Sequence, residues 1–344
     1  MQTKETLFGK TLDELKDIAL KHGLPAFTSK QIADWLYKKE ITSIDEMLNL
    51  SKKAREVLSE NYEIGLTLST SVSTSSDGTK KYLFPVKDNR FIESAYIPDR
   101  ERATLCVSSQ VGCRMGCRFC ATALQGFQAN LSVGEIVNQV RSLPEREKLT
   151  NIVYMGMGEP MDNYVNVLKS LEILTSEWGF AMSPRRITVS TIGVIGAMKK
   201  FLEQSECHLA VSLHTPFDDE RRALMPVQNN HPIEEVVKSI REFDLNNQRR
   251  ISFEYIVFDG MNHSPRHVKE LARLLNGIRC RINLIRFHPI PGSPYFSPND
   301  KAISEFMDAL NKKGLRTTLR ASRGQDIEAA CGLLSTKELG KQKS

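Results

Sequence analysis

Residues 103–120 read ATLCVSSQVGCRMGCRFC, a short β-rich run that leads into a loop holding Cys113, Cys117 and Cys120. From this point the chain alternates. Further β-rich runs stand at NIVYMGMG (151–158), RITVSTIG (186–193), HLAVSLH (208–214), SFEYIVFDG (252–260) and INLIRFHP (282–289). Helical stretches separate them, among them Ser132–Leu143 with a Ser132/Glu135 capping box, Tyr164–Ser176 and Val236–Phe243. Strands joined by helical crossovers pair in parallel with right-handed connections. Six such units fall short of the eight of a complete barrel, so the spacing predicts an open, partial (β/α)6 barrel of the TIM type within an α/β fold.

Upstream the pattern differs. Residues 1–65 read as short helices: Thr11/Glu14, Thr28/Gln31 and Ser43/Glu46 each offer a capping box, and KKAREVLSENY (52–62) forms a fourth helix. Residues 66–100 switch to Ser/Thr-rich alternation, with Asp77-Gly78 marking a hairpin. The expected organisation is a helical accessory domain (1–65), a β-hairpin linker (66–100), the barrel core (101–320) and a C-terminal segment (321–344).

Composition narrows the class. The chain has 344 residues, 40% of them hydrophobic, and a net charge of +6. No run approaches the roughly 20 apolar residues of a membrane span, and MQTKETLFGK has no signal-peptide character. The expectation is a cytoplasmic protein whose seven cysteines serve metal binding or catalysis rather than disulfides. The mild positive charge permits an anionic partner.

Three thiolates crowd one loop, and no second knuckle supplies a fourth. Structural zinc wants four ligands in a closed tetrahedron. Three suit a [4Fe–4S] cluster that keeps one iron open. That iron can chelate S-adenosylmethionine and pass an electron into its sulfonium, yielding a 5′-deoxyadenosyl radical. Zinc stays open as the alternative.

CRMGCRFC, with Phe119 just before the third cysteine, resembles the Cys-x3-Cys-x2-Cys signature of radical S-adenosylmethionine (SAM) enzymes, and GMGEP (156–160) resembles their glycine–glutamate motif. The likeness runs on through CVSSQVGCRMGCRFCATALQGFQANLSVGEIVNQV (106–140), LAVSLHTPFDDERRALMP (209–226), INLIRFHPIPG (282–292) and RGQDIEAACGLL (323–334). Together these resemble the RlmN family of dual-specificity RNA methyltransferases. The resemblance implies methylation of C2 of adenine 2503 in 23S rRNA and of adenine 37 in tRNAs. It implies one [4Fe–4S] cluster on Cys113, Cys117 and Cys120, and two S-adenosylmethionine molecules per turnover. By the same likeness Cys331 is the methyl carrier, Cys106 resolves the protein–RNA adduct through a transient disulfide, and Glu93 is a proton acceptor, the C2 proton going to it or to Cys106. Gly158 and Glu159 match the ammonium-binding pair; Ser190, Ser212, Leu213, His214 and His288 match other cofactor contacts. His288 stands where many relatives have Asn. The partners implied are 23S rRNA, tRNA and an electron donor such as a flavodoxin system, with the enzyme a monomer and no membrane involved.

Such chemistry suits the target, because C2 of adenine is neither nucleophilic nor acidic and polar transfer to it fails. A folded RNA must splay out the adenine to present it. Arg221, Arg222, the basic N-terminal helices and the Lys-rich C-terminus are the candidate phosphate contacts. Cys207 and Cys280 match no catalytic position and read as core residues. Two alternatives stand: the sister Cfr family, which methylates C8 of the same rRNA adenine, and a non-catalytic zinc-bearing RNA-binding protein.

Overall fold

The computed structural model describes residues 4–39, 41–243, 250–334 and 336. The chain opens with β1 (Glu5–Thr6), followed by helices α1 (Leu12–Lys21), α2 (Thr28–Tyr37) and α3 (Lys52–Asn61), and β2 (Tyr62–Glu63) pairs in parallel with β1. The Thr11/Glu14 box caps α1 as expected: the Glu14 amide donates to Thr11 Oγ1 and the Thr11 amide to Glu14 Oε2. Thr28/Gln31 does not cap α2. Its N-cap is Phe27, and Gln31 Nε2 donates instead to the Asn49 carbonyl at 3.1 Å. Ser43/Glu46 caps only one 3-10 turn, Ile44–Glu46.

Three antiparallel strands come next: β3 (Ser71–Thr74), β4 (Lys80–Val86) and β5 (Arg90–Asp99), with the Asp77-Gly78 turn between the first two. β5 then pairs antiparallel with β6 (Arg102–Cys106). After β6 lie β7 (Gln110–Val111), α4 (Ala121–Gln125), β8 (Ala129–Asn130), α5 (Val133–Arg141), β9 (Asn151–Tyr154) and α6 (Tyr164–Thr175). The alternation continues with β10 (Ile187–Thr191), α7 (Ile195–Gln204), β11 (His208–Ser212), α8 (Asp218–Leu224), α9 (Ile233–Arg241), β12 (Ile251–Val257), α10 (Pro265–Leu274), β13 (Cys280–Arg286), α11 (Asp300–Lys312) and β14 (Thr317–Leu319).

One ten-stranded sheet runs in the order β14-β13-β12-β11-β10-β9-β6-β5-β4-β3. The six expected strands are β6 and β9 to β13, each parallel to its neighbour. A seventh, β14, extends the parallel array, and the sheet does not close. Residues 66–100 therefore add three strands to this same sheet. No helix among the described residues is long and apolar enough to cross a membrane.

Alternation along each strand decides what faces what. Leu105, Val189, Leu209, Val211, Phe253, Ile282 and Leu284 are buried in the main core. Their neighbours in sequence line cavities on the other face: Thr104 and Cys106, Thr188 and Ser190, Ser252 and Glu254, Asn283 and Ile285. Most of this inner face is polar, whereas a closed barrel fills it with branched apolar side chains. The polar lining leaves room for a ligand. Cys207 is buried in the core and Cys280 packs against it, as expected of both.

Candidate active site

A cavity of about 140 Å³ sits at the C-terminal ends of the parallel strands, where folds of this kind place their chemistry. On its wall stand Cys113, Cys117, Cys120, Gly158, Glu159, Ser190, Ser212, His214 and Cys331. A second cavity of about 460 Å³ adjoins it and shares Cys120, Glu254, Arg320 and Cys331; Cys106 and His288 line this one. Leu213 is fully buried in the core. Glu93 lies on β5, ion-paired with Lys81 at 3.0 Å and outside the linings of both cavities. It shares a strand face with Ala95, which packs against Cys106.

The cysteine loop is set in place by Phe119. Its ring lies edge-on to His214 at 4.8 Å and 5.8 Å from Phe258, and it belongs to a small core with Cys117 and Leu224. Burial pushes the Cys113 thiol up to about 12, and raises Cys120 as well. Cys117 is raised well above the ordinary thiol range, by burial first and then by its two neighbouring cysteines. Three thiols, Cys117 buried and the other two half-buried, repel one another as thiolates and need a cation to ionise them. The donor set, three cysteines of one loop lining one cavity, fits a [4Fe–4S] cluster that takes three protein sulfurs and keeps one iron open.

Glu159 is buried and its carboxyl is pushed up to about 7 by burial, against hydrogen bonds that favour its ionised form. Oε1 accepts from the Met161 amide and Oε2 from the Ile192 amide, each at 3.0 Å. A buried acid aimed into a cavity fits a cationic ligand group. Its own amide donates to Gln110 Oε1 at 2.8 Å, a partner that the motif alone did not reveal. The turn requires glycine at 158: φ is +97°, and a Cβ there would lie 2.5 Å from the Gln110 side chain and 2.8 Å from its backbone nitrogen.

His214 Nδ1 accepts the Ile256 amide at 3.0 Å, so its proton sits on Nε2. Burial drives its pKa down to about 3. It is a neutral donor. Arg221 proves not to be a phosphate contact. It is fully buried, and its guanidinium donates to Gln228 Oε1 (2.6 Å) and to the carbonyls of Ile192 (2.8 Å) and Ser212 (3.1 Å). The reason is local: α8 turns Arg221 inward to satisfy carbonyls at strand ends, while Arg222 stays exposed. The Lys-rich C-terminus lies outside the described residues.

Two site residues were missed from sequence. Arg320 Nη1 lies 3.4 Å from Glu254 Oε2, and Glu254 Oε1 accepts from Asn283 Nδ2 (2.7 Å) and Ser252 Oγ (3.0 Å). The Arg320 guanidinium is held more firmly charged by Cys331 first, then by Glu254 and Cys106. Its signal was the period-2 step from Thr318 along a strand only three residues long.

Cys331 is held in place from far along the chain. Asp326 Oδ1 accepts from Ser75 Oγ at 2.6 Å and Oδ2 from the Ser76 amide at 3.0 Å. The Gly324 amide donates to Asp77 Oδ2 at 2.9 Å, and Thr122 Oγ1 to the Leu334 carbonyl at 2.7 Å. The hairpin turn between β3 and β4 thus clasps the segment that delivers Cys331. Asp326→Ala should loosen that segment while leaving the cysteine loop intact. Amide hydrogen exchange across residues 323–334 should speed up by about tenfold or more, with exchange in the cysteine loop unchanged. Unaltered exchange in that segment would show that the clasp does not hold it.

Residues 107–275 match the model of the Radical SAM superfamily, and residues 6–64 that of the ribosomal RNA large subunit methyltransferase N-terminal domain. A probable dual-specificity RNA methyltransferase RlmN of Bacteroides thetaiotaomicron is 55% identical over 98% of this chain and 97% of its own length. The dual-specificity RNA methyltransferase RlmN of Syntrophus aciditrophicus is 44% identical over 96% of each chain. Among solved structures, a radical SAM methyltransferase from Sphaerobacter thermophilus superposes with a TM-score of 0.89 at 39% identity, covering 96% of this chain and 99% of that one. With that agreement in sequence and fold, this chain belongs to the RlmN family of dual-specificity RNA methyltransferases within the radical SAM superfamily.

Proposed function

We propose that the chain methylates C2 of an adenine in 23S rRNA and in tRNA, and that the methyl group passes through Cys331. The supporting observation is the position of Cys331, on the wall shared by the cavity of the three loop cysteines and the cavity of Cys106. When bound at Cys113, Cys117 and Cys120, a [4Fe–4S] cluster supplies the electron that turns S-adenosylmethionine into a source of radical chemistry.

The chain's own residues do the rest. Glu159 takes the ammonium group of the methionine portion, and Ser190, Ser212 and His214 Nε2–H offer polar contacts around it. His288 contributes from the adjoining cavity. The Cys331 thiolate accepts one methyl group, so two S-adenosylmethionine molecules are used per turnover. Once the S-methyl carbon of Cys331 is joined to adenine C2, the Cys106 thiolate attacks the sulfur of Cys331. The sulfur–sulfur bond forms, the carbon–sulfur bond breaks, and its electron pair stays on carbon, which takes up a proton. Burial raises the Cys106 thiol to about 12, so it ionises only beside a cation, and Arg320 is that cation. The C2 proton passes to Cys106 or to Glu93, which lies on the strand beside it, ion-paired with Lys81 and lining neither cavity. An external donor such as a flavodoxin system reduces the cluster, and the enzyme acts as a monomer in the cytoplasm.

Anaerobically reconstituted protein with dithionite, S-adenosylmethionine and an rRNA fragment or tRNA should yield 2-methyladenosine on nucleoside analysis. A product methylated at C8 would assign the chain to Cfr-type chemistry. Colourless protein with stoichiometric zinc and no methylated nucleoside would return it to a binding role.

A further inference from the structure

The larger cavity continues past Cys106 towards the N-terminal ends of the parallel strands, and there its wall is cationic. Arg102 opens β6, Arg250 directly precedes β12 and Arg281 is the second residue of β13; all three line the cavity. The acids on the same wall are already engaged. Asp99 pairs with Arg323 at 3.1 Å and Glu254 with Arg320 at 3.4 Å. Among the described residues no ion pair reaches Arg102, Arg250 or Arg281. Burial and like charges hold two of them below the usual guanidinium range: Arg320 and Arg250 act on Arg102 against the attraction of Asp99, and Arg250 and Arg316 act on Arg281. Next along the wall stand Thr104 and Thr188, whose hydroxyls are further donors.

Three guanidiniums stand around one opening, Arg102 and Arg250 exposed and Arg281 half-buried, with Asp99 opposite Arg102 as the acid that acts against their repulsion; a bound anion removes what remains of that cost. Planar forks match the oxygens of phosphate in pairs. We propose that this arginine ring is a phosphate-binding site at the end of the barrel opposite the cysteine loop. The same chemistry is offered by a backbone phosphodiester of RNA and by free phosphate. Only the RNA source rests on the proposed function.

The test uses the cluster-loaded full chain. Replacing chloride with inorganic phosphate at constant ionic strength should raise the melting temperature by about 3–5 °C once phosphate stands near a hundred times its dissociation constant. The double variant Arg102→Gln/Arg281→Gln should lose most of that increment. Without phosphate it should melt no lower than wild type, since repulsion is relieved and no described ion pair is lost. An equal phosphate increment in both proteins, or a variant that melts lower in chloride yet gains as much, overturns the proposal. Fluorescence anisotropy with labelled tRNA then separates the sources. If RNA supplies the phosphate, the variant binds more weakly, its salt slope falls by about one to two, and free phosphate competes with the RNA. If tRNA binding is unchanged while the phosphate increment is lost, the site takes free phosphate.

Discussion

Cys106→Ala should accumulate a protein–RNA adduct instead of methylated RNA. The variant keeps Cys331 and the loop cysteines, so methyl loading and addition to adenine proceed. On the proposed route it lacks the thiolate that breaks the carbon–sulfur link. Release of product should fall by about a thousandfold, and a slow-migrating, ribonuclease-sensitive band should appear on a denaturing gel. The size of the effect separates chemistry from packing. Cys106 belongs to a small cluster with Ala95, Val153 and Ala329, flanked by Ile97, Met155 and Ile327, and deleting one buried sulfur costs about 1 kcal/mol, too little to unfold the domain. Adding Cys331→Ala should abolish the band, because no carrier remains. Normal turnover by Cys106→Ala without an adduct would return Cys106 to a core residue.

Cys117→Ala should abolish activity at an earlier step. Cys117 is the most buried of the three loop cysteines and the one most raised by its neighbours. With two sulfurs left the loop cannot hold a cluster that needs three, so iron content and the broad visible absorbance should drop to background. Formation of 5′-deoxyadenosine should vanish with them. The two remaining thiols should stay protonated near neutral pH, since burial raises both. A Cys117→Ala protein that keeps its iron and cleaves S-adenosylmethionine would remove the basis of the cofactor assignment.

The parallel strands were legible because each is a β-rich run bounded by helical periodicity, and the loop cysteines because their spacing is local. What escaped depends on distance along the chain or on short elements. β14 spans three residues, Thr317–Leu319, too few for a period to register, and with it went Arg320. The clasp between Asp326 and Ser75 joins residues 251 apart, which no local pattern encodes. Arg221 was misread because an arginine beside acidic residues on a helix resembles a solvated face; only the fold shows strand-end carbonyls waiting for it. Thr28 offered a capping box by spacing, yet Gln31 found Asn49 across the turn, a tertiary partner that outcompetes the local one. The polar inner face was present in the alternation, as at Thr104, Cys106, Ser252 and Glu254, but its sidedness emerges only when neighbouring strands align in register.

The measurement that bears most directly on this account follows one methyl carbon. Protein whose Cys331 has been preloaded with a ¹³C-methyl group is given unlabelled S-adenosylmethionine, reductant and substrate RNA, and the first-turnover product is analysed. Passage through Cys331 predicts 2-methyladenosine bearing the ¹³C label, in amounts matching the label lost from the cysteine. An unlabelled first-turnover product, with the label still on Cys331, would contradict it.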